Sequence, residues 1–199
     1  MKQQAGFSIE ELRSGDRQAF AAMVDEYSPK LYRLALRMLG DPHEAEDVLQ
    51  ESFLKAFNAI EQFEGRSKLS TWLYRITSNE ALMRLRKKRP TLVSVDEPIQ
   101  LDMGDTIARQ LEDWCCLPEE EFMTGEAMVQ LDKAMDDLSP ALKAAFVLRD
   151  LQGLSTEEAA EALEISESAL KTRLSRARLQ LRESLSTYFG DRAREYQHG

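Results

Sequence analysis

Apolar residues recur at three- and four-residue intervals along most of the chain, the spacing of helices that bury one face. Ser8 followed by Glu11 has the form of a capping box and predicts a short helix ended by Gly15. Asp16 opens a second helix with Phe20, Met23, Val24 and Tyr27 on one side. Pro29 suits a first turn, and a third helix from there carries Leu31, Ala35 and Met38 to Gly40. Asp41-Pro42 with Glu44 repeats the start signal, and Ala45, Val48, Leu49, Ser52, Phe53, Ala56, Phe57 and Ile60 then give the most regular helix of the chain. Its other face carries Glu44, Asp47, Gln50, Glu51 and Lys55. Residues Glu64 to Lys68 break the pattern, and a helix begins near Ser70. Trp72, Leu73, Ile76 and Met83 form its core stripe, beside a mostly polar stripe of Arg75, Asn79, Leu82 and Arg86 that ends in the basic run Arg84 to Arg89.

Near the C-terminus the pattern changes to two short helices and a tight turn. Ser155 with Glu158 is a second capping box and starts a helix over about 156–163. Glu164-Ile165 makes the turn, and Ser166 is the N-cap of a helix that runs past Arg178. Leu170, Leu174, Ala177 and Leu181 share one stripe, while Ser168, Thr172, Ser175 and Leu179 lie opposite. Lys171, Arg176 and Arg178 border that outward face, with Arg173 and Arg182 nearby, five cations against one acid in Glu167–Arg182. Small side chains that sink into a major groove, with a basic rim for phosphates, are what a DNA-reading helix needs. The pair predicts a helix-turn-helix.

Charge alters the picture only when it is taken by segment, because a net charge of −9 argues against nucleic acid as a partner. Residues 1–90 carry a net +2, 91–125 a net −8 and 126–199 a net −3. The acidic middle segment holds Pro98, Gly104, Pro118 and Gly125 and no sustained period, which predicts a flexible linker between two all-helical domains, 1–90 and 126–199. No apolar run approaches a membrane span, and the first residues lack the apolar core of an export signal. The two cysteines, Cys115 and Cys116, are adjacent and fit neither a disulfide framework nor a zinc site, so a reduced, cytoplasmic protein is expected. With His43 and His198 the only histidines, no glycine-rich phosphate loop and no paired nucleophile, neither an enzyme nor a metal or cofactor is expected. Trp72 and Tyr74 beside basic residues could instead stack on unpaired bases.

Three segments carry a family resemblance. Asp47 to Phe53 (DVLQESF), Phe63 to Asn79 with STWLYRI at Ser70–Ile76, and Leu170 to Arg178 (LKTRLSRAR) resemble, in this order, the hallmark segments of bacterial RNA polymerase sigma factors of the extracytoplasmic-function (ECF) group, in particular the envelope-stress type like sigma-W and sigma-E. The resemblance runs from about Asp16 to Arg182, interrupted by the linker. It implies an N-terminal region 2 and a C-terminal region 4. The helix with Asp47, Gln50, Glu51 and Phe53 would dock on core RNA polymerase. Phe63, Lys68, Trp72, Arg75, Asn79 and Arg86 would capture the melted −10 strand of promoter DNA. Ser168, Lys171, Thr172, Arg173, Ser175, Arg176 and Arg178 would read or flank the −35 element. It also implies an anti-sigma factor, often membrane-bound, as a further partner. The alternative from the residues alone is a free-standing dimeric helix-turn-helix regulator, which needs a dimerisation or ligand domain in place of the basic-aromatic and acidic helices of the N-terminal half.

Overall fold

The computed structural model describes residues 6–88 and 125–197, with side chains described for 6–88 and 129–186. The acidic segment expected as a linker, with Cys115 and Cys116, lies outside the described residues apart from Gly125. All regular elements described are helical. The first half holds α1 (Ile9–Arg13), α2 (Arg17–Leu39), α3 (Pro42–Ala59), a 3-10 turn (Ile60–Gln62) and α4 (Leu69–Lys88). The second holds α5 (Gly125–Asp136), α6 (Pro140–Phe146), a π-helical turn (Val147–Leu151), α7 (Thr156–Ala162) and α8 (Glu167–Gln197).

Side-chain caps set where the helices of the first half begin. The Ser8 hydroxyl accepts from the Glu11 N–H at 3.1 Å, and the Glu11 carboxylate accepts from the Ser8 N–H at 2.7 Å. Asp16 and Asp41 each accept two backbone N–H groups at the starts of α2 and α3. The Asp41 carboxyl is held below its ordinary value, chiefly by the Glu44 N–H. Gly40 ends α2 at φ +72, a left-handed conformation that a side chain would strain. The break expected at Pro29 does not occur, and α2 is one helix of 23 residues. Pro29 removes a single backbone donor, but Tyr27, Leu31 and Leu34 on either side are buried, and that packing carries the helix through. α2, α3 and α4 pack against one another around Met23, Leu31, Leu34, Met38, Val48 and Leu73, all sealed from solvent. Met83, expected in the core stripe of α4, is instead exposed at 41%, because here the helix turns Ala81, Leu82 and Leu85 toward the core in its place.

The second half packs α8 across α5, α6 and α7, with Leu170, Leu174, Ala177 and Leu181 buried as the stripe predicts. Both expected caps are present. The Ser155 hydroxyl accepts from the Glu158 N–H at 3.1 Å, and Glu158 accepts from the Ser155 N–H at 2.9 Å. The Ser166 hydroxyl accepts from the Ala169 N–H at 3.2 Å. The two halves are not apart: α4 lies against α6 and α7, and α2 against the π-helical turn. A cleft of about 460 Å³ runs along this contact, with Lys30, Arg33 and Tyr74 on one wall and Leu151, Gln152 and Glu158 on the other.

Candidate nucleic-acid interface

The second helix of the helix-turn-helix presents the surface its sequence predicts. Ser168, Lys171 and Thr172 are exposed, and Arg173, Ser175 and Arg176 are half-buried at its margins. The Thr172 hydroxyl donates back to the Ser168 carbonyl at 3.0 Å, which holds this small side chain against its own helix. Lys171 stays 68% exposed with only a loose 3.9 Å pairing to Glu167, so its ammonium is open to solvent. Leu179 is 40% exposed and adds an apolar side chain to the face. Arg178 departs from expectation. Its Nε donates to Asp150 Oδ2 at 2.9 Å and its Nη2 to Asp150 Oδ1 at 2.7 Å. That bidentate grip raises the guanidinium pKa, chiefly through the hydrogen bonds to Asp150, and turns Arg178 inward as a brace.

The candidates for −10 binding divide into two sets. Phe63 and Trp72 are buried, at 5% and 7% exposure, with ring centroids 5.1 Å apart in a tilted pair. Tyr74 is also buried, and burial raises its phenol pKa. The stacking role expected of Trp72 is therefore revised. Its ring is covered and packs against Phe63, on the far side of the 64–68 loop in sequence. Lys68, Asn79 and Arg86 are exposed and Arg75 is half-buried, and these make up the polar surface. Lys68 Nζ donates to Glu158 Oε1 at 2.6 Å. Asn79 Nδ2 donates to Glu164 Oε2 at 3.4 Å, and Arg75 Nη1 lies 3.9 Å from Glu164 Oε1. Glu158 is held below its ordinary carboxylate range first by the Lys68 hydrogen bond and then by the Ser155 N–H, and Lys68 is raised by the same bond.

On α3, Asp47 and Gln50 are exposed and Glu51 is half-buried, while Phe53 is buried at 9% and points into the core. Phe53 thus lies beneath the acidic face of α3, on the buried side with Ala45, Val48, Ser52 and Ala56. The apolar residues that reach solvent on this helix are Leu54, 59% exposed, and Phe57, 50% exposed. Leu54 lies three and four residues from Gln50, Glu51 and Asn58, in the middle of the polar face, and this spacing was the signal that could have marked it. Phe57 rests edge-on against Phe20 with centroids 5.1 Å apart. Ion pairs fix the acidic rim to α4, where Arg84 Nη1 lies 3.1 Å from Asp47 Oδ2 and Lys55 bridges to the buried Glu80.

A polar surface on α4, a helix-turn-helix and an acidic helix with an apolar centre thus stand on one chain. Sigma-70 region 2 matches residues 23–91, and Sigma-70 region 4 matches residues 128–181. The chain is 37% identical over 177 residues to the ECF RNA polymerase sigma factor SigW of Bacillus subtilis, covering 89% of this chain and 94% of that protein. The chain belongs to the extracytoplasmic-function sigma factors. Among its relatives is also the RNA polymerase sigma-H factor of Pseudomonas aeruginosa, 34% identical over 173 residues and covering 85% and 88% of the two chains. The sigma factor RpoE in complex with the anti-sigma factor NepR from Bartonella quintana is 26% identical, with a TM-score of 0.59 over 84% of this chain and 96% of that one. CnrH in complex with the cytosolic domain of CnrY shares the fold at a TM-score of 0.64 and 23% identity, covering 90% and 95%. Among the described residues no helix is long and apolar enough to cross a membrane.

Proposed function

We propose that this sigma factor works in the cytoplasm, binds core RNA polymerase through the exposed face of α3, captures the melted −10 strand with Lys68, Arg75, Asn79 and Arg86, and reads the −35 element with Ser168, Lys171, Thr172, Ser175 and Arg176. Residues 1–90 form the docking and melting unit, 126–199 the duplex-reading unit, and 91–125 the tether between them. Membership of the family, over nearly the full length of SigW, is the observation that carries this reading. The exposed α8 surface, with small side chains at its centre and Lys171 at its rim, supports groove readout. Phosphoryl transfer belongs to the polymerase, and the chain supplies recognition and strand separation. RpoE stands in complex with the anti-sigma factor NepR, which supports an anti-sigma factor as a partner here too.

The test is reconstitution. The purified chain is expected to co-elute with core RNA polymerase, and the mixture to transcribe a defined subset of promoters selected from a random library. Binding to duplex promoter DNA as a dimer in the absence of polymerase, with no promoter-dependent transcription in its presence, would establish the free-standing regulator instead.

A further inference from the structure

We propose that in the free chain two carboxylates of the helix-turn-helix, Glu158 in the first turn of α7 and Glu164 in the turn that follows it, occupy the −10 surface in the place of single-stranded DNA, so that the unit that reads duplex DNA also blocks strand capture until the two halves part. This rests on the reading of Lys68, Arg75 and Asn79 as strand-capturing residues.

Three observations carry it. All three of those side chains meet a carboxylate of the other half: Lys68 meets Glu158, while Arg75 and Asn79 both meet Glu164. Carboxylate oxygens present to a cation and an amide what phosphate oxygens and base carbonyls would present. A strand laid on these groups and α7 packed on the same helix exclude each other.

The second observation concerns how Glu158 is held. It receives the Ser155 N–H at 2.9 Å as the closing half of the capping box and is pre-oriented toward Lys68 before the two halves meet. The third is the backbone at Glu164. At φ +54 it is the one non-glycine among the described residues in the left-handed region, where glycine fits without strain. The chain keeps a long acidic side chain at a turn that disfavours it, and that side chain reaches Arg75 and Asn79.

Charge extends the complementarity. Lys30 and Arg33 line the cleft on the same side as Tyr74, facing Glu158. Exposed ion pairs of this kind are individually weak and screened by salt, so the contact suits a closure that polymerase docking displaces. Residues 89–124 separate the halves in sequence.

The experiment uses the full chain and E158Q/E164Q. Glutamine preserves the capping box and the turn residue's size, so the variant keeps the local fold. Affinity for fluorescein-labelled dT15 is measured by anisotropy at low salt, and the radius of gyration by X-ray scattering. The variant is expected to bind dT15 at least tenfold more tightly than the parent and to be more extended, and Lys68→Ala added to it is expected to cancel the gain. Equal binding by parent and variant, while Lys68→Ala and Asn79→Ala still impair open-complex formation by the holoenzyme, would overturn the blocking contact and leave the −10 reading standing. Normal open complexes from both of those alanine variants would remove the −10 reading, and the blocking contact with it.

Discussion

Arg178 of α8 and Asp150 of the π-helical turn form a two-toothed ion pair, 2.9 and 2.7 Å, that ties the DNA-reading helix to the element beneath it. Both side chains are largely covered, at 29% and 20% exposure. A fork of two charge-assisted bonds in such a place holds a helix in position. Arg178→Ala is expected to lower the stability of the C-terminal half by about 2 kcal/mol, with Asp150→Ala similar and the double variant little worse than either. Transcription is expected to fall on all promoters alike and to recover at lower temperature. A promoter-dependent loss at unchanged melting temperature would return Arg178 to the DNA surface.

Lys171 gives the opposite expectation. It is exposed and only loosely paired, so Lys171→Ala leaves the melting temperature unchanged. If it contacts a base, it costs about 1–3 kcal/mol at −35 elements that carry that base and little elsewhere. Competition between −35 variants in a single transcription reaction reads the difference. A uniform loss across sequences would mark Lys171 as a phosphate contact.

Asn79 is the cleanest reporter of strand capture, because its side chain is exposed and its partner Glu164 belongs to the other half. Asn79→Ala is expected to slow open-complex formation on duplex promoters far more than on templates already mismatched at −10. Equal defects on both templates would point to polymerase docking as the cause. Trp72→Ala, by contrast, is expected to cost about 3–5 kcal/mol of folding stability through lost packing against Phe63.

Legibility in the sequence followed the kind of signal. Caps were readable, since Ser8, Asp16, Asp41, Ser155 and Ser166 each act on a backbone N–H within three residues, a relation that local sequence contains in full. The outward face of α8 was readable for the same reason, as period alone separates Thr172 from Leu170. Pro29 was misleading because a proline's local cost is outweighed by burial on both sides, which depends on where α3 and α4 lie. Phe53, Phe63 and Trp72 were assigned to surfaces by motif, but whether an aromatic ring faces in or out is decided by its neighbours across the core. The pairing of Arg75 and Asn79 with Glu164 joins residues some 85 positions apart in sequence and had no local trace.

Leu54 is expected to be the apolar centre of the polymerase contact. Its exposure of 59% means that Leu54→Ala removes nothing from the core, so thermal stability is unaffected. Covering such a side chain in an interface contributes about 1.5–3 kcal/mol, so the variant is expected to bind core polymerase at least tenfold more weakly. Phe57→Ala is a less direct test because it also removes the edge contact with Phe20. Unchanged affinity of Leu54→Ala for core polymerase would move the docking site to another face.

Glu164 combines two opposed effects that substitution can separate. Its backbone sits at φ +54, where glycine avoids the left-handed strain, and its carboxylate reaches Arg75 and Asn79 across the contact between the halves. Glu164→Gly relieves the strain, offset in part by glycine's greater freedom in the unfolded chain, and is expected to stabilise the helix-turn-helix itself by about 0.5–1 kcal/mol. Glu164→Gln keeps the strained backbone and loses the charge, so it leaves that stability near the parent's while loosening the contact. The two variants are thus expected to differ in the denaturation of the C-terminal half and to agree in their gain of single-strand binding. Hydrogen exchange on α7 and α8 resolves the first quantity and dT15 anisotropy the second. If Gly and Gln raise dT15 binding unequally, the backbone at the turn sets the contact. If neither raises it, the carboxylate of Glu164 does not compete with DNA at all.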